Sequence, residues 1–586
     1  MKKWVVAAKR ADFKAIGEKY HIDQVTARLI RNRDVTGDDA LQEYLYGTIA
    51  DMHDPEEMKG IVEAADLLLF KMKEKAAIRI IGDYDIDGVT ATYILYTGLK
   101  KCGAIVDYEI PDRIRDGYGI NEQLVQNAWE DGIDTILTCD NGISAIDQIA
   151  YAKKLGMTVI VTDHHELRTR EEDGKVQVIL PDADVVVNPH QPDCPYPYKD
   201  LCGGAVAYKL MQELYRKKSF PDREIENLIE YAAIATVGDV MKLTGENRII
   251  VKEGLKRLNH TQNIGLKALI RVNGLEDKEI NSYHIGFVIG PCINASGRLT
   301  TAKKALELLL CGSGERAEVL AEELLSLNTE RKELTRQGYE EAVKQIESTS
   351  LKDDKVLIVY LPDCHESIAG IIAGRIRERY YRPVFVLTNG EKSVKGSGRS
   401  IEGYSMFEEM QKCDDLFLNY GGHPMAAGCS LERENIQPLR ERLNIAAHLT
   451  EEDLTEKICI DVPMPISYIT EHLIEELNVL EPFGTANKKP VFAEKDVSIL
   501  GARILGQNRN VIKMQVTDTS GTVMDALYFG DVEVFRTYLE DKYGYAETEK
   551  LFQNRKTGIT LSVIYYPTIN EFRGQRSIQI VISDYQ

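Results

Sequence analysis

No stretch of the 586-residue sequence holds the ~20 consecutive apolar residues that a membrane-spanning helix requires. The apolar run at residues 4–8 stops at Lys9 and Arg10, too short for a secretory signal. Internal repeats and low-complexity tracts are absent, which argues against a solenoid or a fibrous chain. None of the ten cysteines forms a C-x-x-C pair. That argues against a zinc site or a disulfide framework and for buried free thiols in a reducing compartment. The expected location is cytoplasmic, with no membrane partner. Positive charge is also in deficit: the formal net charge is -20 and the pI is near 5.2. A protein that coats nucleic acid over its whole surface is thereby disfavoured, while a basic groove within an acidic shell stays open.

What is present is the composition of an ordinary globular protein, 44% hydrophobic and 28% charged, at a length that calls for several domains. From about residue 76 to 240, β-rich runs alternate with helical ones. A strand at 77–81 ends in an acidic loop and a helix follows at 89–101. Strands at 135–139 and 158–162 end at Asp140 and Asp163. Strand, acidic turn and helix, repeated, predict a parallel sheet with helices on its faces, whose ligands lie beyond the carboxyl ends of the strands. The charged, proline-free stretch 315–348 predicts a long connecting helix. A second α/β unit follows, with a strand at 355–360, a helix at 368–379 and a strand at 384–387. After about 452, short strands at 496–504, 510–518, 522–529, 558–566 and 577–582 predict an OB-like β-barrel. The expected division is an N-terminal segment 1–45, an α/β domain 46–314, the helix 315–350, the second α/β domain 351–451 and the barrel domain 452–586.

Asp83, Asp85 and Asp87 alternate on the loop leaving the first strand, with Gly88 expected to allow the turn into the helix. Carboxylates so crowded raise one another's pKa values unless a cation holds them, and hard divalent ions take such oxygen ligands. A capping role fits one Asp, but not three with further acids at matching strand ends. D-x-D-x-D-G also opens a calcium EF-hand loop, yet the twelfth position, which needs Glu, is Ile94, and a strand precedes the loop instead of a helix. Asp140, the Asp163-His164-His165 run and Asp239 extend the set, and imidazole beside carboxylate favours Mn²⁺ while tolerating Mg²⁺. One of the two adjacent histidines is expected to ligate and the other to face substrate or support a ligand. Two ions bridged by one carboxylate are suited to phosphodiester hydrolysis.

The motifs D-Y-D-I-D-G-V-T at 83–90, C-D-N-G at 139–142, T-D-H-H at 162–165 and A-T-V-G-D-V at 235–240 resemble the four motifs of the DHH phosphoesterase superfamily. From near residue 45 onward the chain is similar to that superfamily's single-stranded-DNA exonuclease branch. The similarity rests on P-D-R-I-R-D-G-Y-G at 111–119, G-P-C-I-N-A-S-G-R at 290–298, K-G-S-G-R-S at 395–400, G-G-H-P-M-A-A-G at 421–428 and L-E-P-F-G-T-A-N at 480–487. The resemblance implies a DHH domain, a DHH-associated second domain and a terminal barrel. It also implies 5′→3′ hydrolysis of single-stranded DNA in recombination and repair, with two Mn²⁺ or Mg²⁺ ions. Asp83, Asp85, Asp87, Asp140, His164 and Asp239 would be ligands, Asp140 bridging, with His165 beside the scissile phosphate. Within the first motif Asp85 and Asp87 are the firmer ligands, and Asp83 either ligates or supports. The implied partners are single-stranded DNA, a single-strand-binding protein and a RecQ-type helicase.

The later motifs have a physical reading as well. Gly396, Gly398, Gly421 and Gly422 would let backbone N–H groups approach phosphate oxygens. Arg399 offers a bidentate fork, and Ser397, Ser400 and His423 offer further hydrogen bonds. Tyr118, near Arg113 and Arg115, would stack on a base, and Arg298 completes the expected substrate contacts. Cys364-His365-Glu366-Ser367 departs from the W-H-x-G of the family, and Cys292 is a further departure. Two rival readings are a DHH enzyme for small substrates such as dinucleotides or pyrophosphate, and an inactive scaffold. The barrel speaks against the first and the complete set of acids against the second.

Overall fold

The computed structural model describes residues 2–113, 115–172, 175–506, 509–572 and 574–586; Ile114 of the P-D-R-I-R-D-G-Y-G motif lies outside them. The chain divides into two units, Thr48–Glu456 and Met1–Gly47 with Lys457–Gln586. In the first, β1 (Ala77–Ile81), β2 (Ile105–Glu109), β3 (Thr135–Cys139), β4 (Thr158–Thr162) and β5 (Val185–Val187) form one sheet in the order β2-β1-β3-β4-β5. Every neighbouring pair is parallel. Parallel strands covered on both faces read as unbroken apolar runs rather than alternating ones, as the buried Val159-Ile160-Val161 of β4 does.

One face of the sheet packs on α1 (Ile86–Cys102), the other on α2 (Glu122–Glu130) and α3 (Ile146–Lys154). The helices α4 (Gly203–Lys217) and α5 (Ile229–Gly238) thicken the α1 side into the largest apolar core. The chain passes from β1 outward to β2, then crosses back over β1 to β3. That reversal opens a crevice at the carboxyl ends of β1 and β3, where ligands of such sheets bind.

Beyond the sheet come α6 (Gly290–Leu299) and the long α7 (Gly314–Ser348), close to the expected 315–348. The second α/β body is richer than expected. To β6 (Leu357–Tyr360), α8 (Glu366–Tyr380) and β7 (Val384–Asn389) it adds β8 (Val394–Arg399), β9 (Phe417–His423) and β10 (Ala426–Leu431), in the order β9-β10-β8-β7-β6. The glycines of K-G-S-G-R-S and G-G-H-P-M-A-A-G, expected to bring backbone N–H groups to phosphate oxygens, stand in strands.

In the second unit β11 (Phe492–Leu505), β12 (Val511–Thr517), β13 (Val523–Tyr528), β15 (Gln575–Tyr585) and β14 (Thr560–Phe572) pair in that order, and β14 closes on β11. Five strands closed in this way make an OB-type barrel. Residues 1–47 belong to the same unit: Lys3–Val6 pairs in parallel with Lys457–Ile460. Tyr20, Leu29, Ile30, Leu41, Tyr44 and Leu45 join the apolar core of the barrel.

The L-E-P-F-G-T-A-N motif explains that union. Buried Asn487 donates through Nδ2 to the carbonyls of Leu480 (2.7 Å) and Pro482 (2.8 Å). Its Oδ1 accepts from Arg33 Nε at 2.7 Å and the Tyr44 hydroxyl at 2.9 Å. Removing one partner of a buried network leaves the others unpaired at a cost of about 1–3 kcal/mol each. Asn487→Ala is expected to lower the calorimetric transition of this unit by about 5–10 °C while the transition of Thr48–Glu456 stays in place. An unmoved first transition would mean that Asn487 does not tie residues 1–47 to the barrel.

Candidate metal centre

Each acid of the centre is held by the start or end of a regular element. Asp85 caps α1, its Oδ1 accepting the Asp87 and Gly88 N–H groups at 3.0 and 3.1 Å. Gly88 lies inside α1 and serves close packing, not a turn: a β carbon there would sit 2.4 Å from the Asp83 carbonyl. Asp87 points across to α4, where its two oxygens accept the Gly203 and Gly204 N–H groups, both at 2.7 Å. A helix N-terminus is a ready anion site, so the Gly203–Gly204 pair fixes Asp87. A β carbon on Gly203 would fall 2.5 Å from that of Asp140. The sequence analysis missed this pair; the signal was two glycines opening a helix, a pattern that admits close backbone approach.

Asp140 leaves β3 with φ 60°, a left-handed conformation that Asp tolerates better than most residues. Asn141 beside it stitches the two strand ends together. Its Nδ2 donates to the carbonyls of Ile81 (3.0 Å) and Cys139 (2.9 Å), and its Oδ1 accepts the Ile120 N–H. After β4 the buried Asp163 curls the chain about itself: Oδ1 accepts the N–H of His164 at 2.7 Å and of His165 at 3.1 Å. Both imidazoles thus turn inward, 4.4 Å apart between centroids, with different partners. His164 Nε2 lies 3.1 Å from Asp140, 3.6 Å from Asp87 and 3.7 Å from Asp239. His165 Nδ1 lies 2.7 Å from Asp163, with the Tyr118 hydroxyl 3.2 Å from its Nε2.

Three groups of donor atoms are each mutually within 4.8 Å: Asp83, Asp85 and Asp140; Asp87, His164 and Asp239; and Asp140, His164 and His165. Asp140 belongs to two of them. Burial first, and then the neighbouring acids, push the carboxyls of Asp83, Asp85 and Asp140 upward, and that of Asp239 to about 8. Asp163 goes the other way: burial would raise it, but the His165 and backbone hydrogen bonds hold it down. Burial lowers His164 and keeps it the neutral imidazole that a metal prefers. His165 rises to about 9 against its burial because Asp163 holds its proton. Asp83 Oδ1 is buried with no hydrogen-bond partner among the described residues. An orphaned carboxylate oxygen amid acids that cannot all ionise together fits a divalent cation, and the oxygen and imidazole donors suit Mn²⁺ or Mg²⁺.

Around this centre the expected substrate residues fall into distinct positions. The Tyr118 hydroxyl donates to the Asp140 carbonyl at 3.0 Å, leaving its ring half exposed. Arg113 stacks on Tyr84, 4.8 Å from the ring centroid. Arg298, on α6, donates to the Ser367 carbonyl at the start of α8 at 2.6 Å. Burial and the nearby Arg113 and Arg331 lower its guanidinium to about 10. On the sheet of the second body, Arg399 and His423 stand opposite Ala426 from either side, and Ser397 and Gly421 stand opposite Gly428. Cross-strand partners share a face, so Ser397, Arg399 and His423 share one. A β carbon at Gly421 would meet nothing within 4 Å, so the floor between them is open.

Two expectations change here. Ser400 is buried and its hydroxyl donates to the Tyr404 carbonyl at 2.6 Å, because β8 has ended and the chain turns under the sheet; it faces no substrate. Gly396 and Gly398 stand in β8 between two paired neighbours, so their amides belong to the ladder. Their small size serves the core, since β carbons would strike Cys429 Sγ and Met406 Sδ, each at 2.5 Å.

Acids from successive strand ends around a shared Asp140, within the same unit as an arginine-bearing lobe, define a divalent-metal phosphoesterase. The sequence matches the family models described as the DHH family, N-terminal domain (residues 77–238), the DHHA1 domain (353–448) and the RecJ OB domain (460–584). It is 36% identical to the single-stranded-DNA-specific exonuclease RecJ of Bacillus subtilis, over 97% of this chain and 69% of that one. To the protein of that name from Escherichia coli it is 32% identical over 90% of each. The crystal structure of RecJ with Mn²⁺ from Thermus thermophilus superposes with a TM-score of 0.81 at 27% identity, covering all of this chain and 79% of that one. The chain belongs to the RecJ family.

Two outcomes follow from the geometry. Gly203→Ala, by displacing Asp140, is expected to weaken Mn²⁺ binding at least about tenfold in a calorimetric titration with circular dichroism unchanged; wild-type affinity would contradict the proposed packing. In the metal-free protein the His165 ring is expected to titrate near 9 by NMR, and Asp163→Asn to bring it down toward its ordinary value. The stability linked to that proton is fully present below the ordinary His value and is lost as pH rises through about 9.

Proposed function

We propose that this chain is a two-metal exonuclease of single-stranded DNA, working 5′→3′ in recombination and repair from the cytoplasm. The observation that carries the reading is the convergence of the three strand-end loops on Asp140 at the switch point of the sheet. In this reading Asp83, Asp85, Asp87, Asp140, His164 and Asp239 hold two Mn²⁺ or Mg²⁺ ions. When bound, the ions supply Lewis acidity and an activated water for in-line attack on the phosphodiester.

The chain's own groups do the positioning. Asp140 is shared by the donor group of Asp83 and Asp85 and that of His164 and His165. His165, oriented by Asp163, stands beside the scissile phosphate, and the hydroxyl of Tyr118 steadies that ring while its exposed face takes a base. Arg113 and Arg298 supply positive charge beside Asp85, and Ser397, Arg399 and His423 line an open face for the phosphate of the strand end. Functionally we divide the chain into a DHH catalytic domain (46–314), a connecting helix (315–350), a DHH-associated substrate domain (351–451) and a nucleic-acid-binding barrel domain (452–586) joined by residues 1–45. A single-strand-binding protein and a RecQ-type helicase are the proposed partners, the one presenting and the other generating the substrate strand.

Asp140→Ala is expected to reduce Mn²⁺-dependent degradation of a 5′-labelled single strand by more than about 10³-fold while strand binding in EDTA persists. Label should leave the wild-type substrate first from the 5′ end. Release from a 3′ label first would overturn the polarity, and hydrolysis of dinucleotides alone would overturn the substrate.

A further inference from the structure

The core of the DHH body holds a charged pair that none of these roles uses. Lys209, on α4, and Glu246, on the helix Gly245–Leu258, are 0% and 1% exposed. Lys209 Nζ lies 2.5 Å from Glu246 Oε1 and donates to the His53 carbonyl at 2.6 Å. Glu246 accepts the His53 N–H at 3.2 Å through Oε1 and the Tyr196 hydroxyl at 2.6 Å through Oε2. The ammonium also lies 5.7 Å from the centroid of the Tyr196 ring. Taking two charges out of water costs stability that apolar residues of the same size would not cost. The best-attested return is registry: a buried polar contact fixes one alignment of two elements where apolar packing permits several.

The two helices it joins serve the two carboxylates of a single donor group. α4 begins at Gly203 and Gly204, whose N–H groups hold Asp87 at 2.7 Å. The helix Gly245–Leu258 lies close on α5: a β carbon on Gly254 would sit 2.3 Å from that of Ala233 and 2.8 Å from the Ile229 carbonyl oxygen. α5 in turn ends at Asp239. Asp87, His164 and Asp239 form one donor group, and neither carboxylate belongs to the other two. Elsewhere α4 meets its neighbours through small or flexible residues, as with Gly204 against Ala235 and Met211 against Gly98. Such surfaces fix a separation better than a position along the axis. The ion pairs of Arg216 and Lys217 at its far end are partly exposed and correspondingly weak. One residue of slip is ~1.5 Å, enough to break both contacts with Asp87.

We propose that the Lys209–Glu246 pair is a positioning clamp for one of the two ions. It sets the register of α4 against the helix Gly245–Leu258, and thereby the span between Asp87 and Asp239 across His164. The proposal rests on the two-ion reading above. Lys209 stands six residues into α4, ~9 Å along its axis from Gly203. Both residues therefore act through their helices and not by contact with ion or substrate. Asp83, Asp85 and Asp140 follow the ends of β1 and β3, which the pair does not join. The effect is confined to one ion.

The test is calorimetric titration of the metal-free full chain with Mn²⁺. Hydrogen exchange of the peptide spanning Gly203 and Gly204 is read before any ion is added. Lys209→Met/Glu246→Gln removes both charges and keeps the bulk, and Gln can still accept from the His53 N–H and donate to Tyr196. It is expected to weaken one ion about tenfold, to leave the other within about twofold, and to speed exchange of the two amides about tenfold. Glu246→Gln alone should give a smaller loss at the same ion. Added to Asp239→Asn, which by itself weakens that ion, the double substitution should cost less than about twofold more. Unchanged Mn²⁺ affinities would overturn the clamp. So would an equal loss of both ions, the mark of general damage to the core, or unchanged exchange of the amides. A wild-type chain that binds a single Mn²⁺ would instead overturn the two-ion reading itself.

Discussion

Carboxylates gathered in a buried crevice repel one another, and the DHH body is arranged around containing that repulsion. Asp85 and Asp87 are met by the amide ends of α1 and α4, which offset part of the charge before any ion arrives. The requirement reaches far into the core. Gly203 and Gly204 are small so that α4 can present its N–H groups, and Gly88 is small so that α1 can lie on the backbone of Asp83. What backbone dipoles leave uncompensated, Asp83 Oδ1 above all, is the portion that divalent ions are suited to fill.

The two histidines show how a single acid divides labour. Asp163 takes both backbone N–H groups and the His165 ring, so His165 is charged and oriented. His164 is left neutral among Asp87, Asp140 and Asp239. Adjacent residues thus differ in protonation because one has a private carboxylate and the other shares carboxylates suited to hold an ion. Extended-chain reasoning predicts opposite directions for the two side chains. The turn about Asp163 brings the rings together instead.

Much of this was legible in the sequence because it depends on local pattern. Apolar runs ending in Asp mark strand ends, and the alternation of strand and helix gives a parallel sheet whose crevice follows from topology. The barrel strands were legible for the same reason. What stayed hidden depends on contacts distant in sequence. Residues 1–47 carry no sign that their apolar face completes the barrel core; contacts distant in sequence disclose it, among them those of Asn487 with Arg33 and Tyr44. Glycines in β8 read as phosphate contacts because sequence cannot distinguish an amide free to bind a ligand from one held in a ladder. Ser400 sat in the right motif and faces the wrong way, since one residue past a strand end suffices to turn a side chain under the sheet.

The central claim is that Asp140 is shared by two ions at the switch point of the sheet. Titration of the metal-free protein with Mn²⁺, followed by electron paramagnetic resonance, tests it most directly. The account predicts about two ions per chain, with the exchange-coupled spectrum of a pair joined through a common ligand. A single ion at saturation, or two that remain magnetically independent, would contradict it.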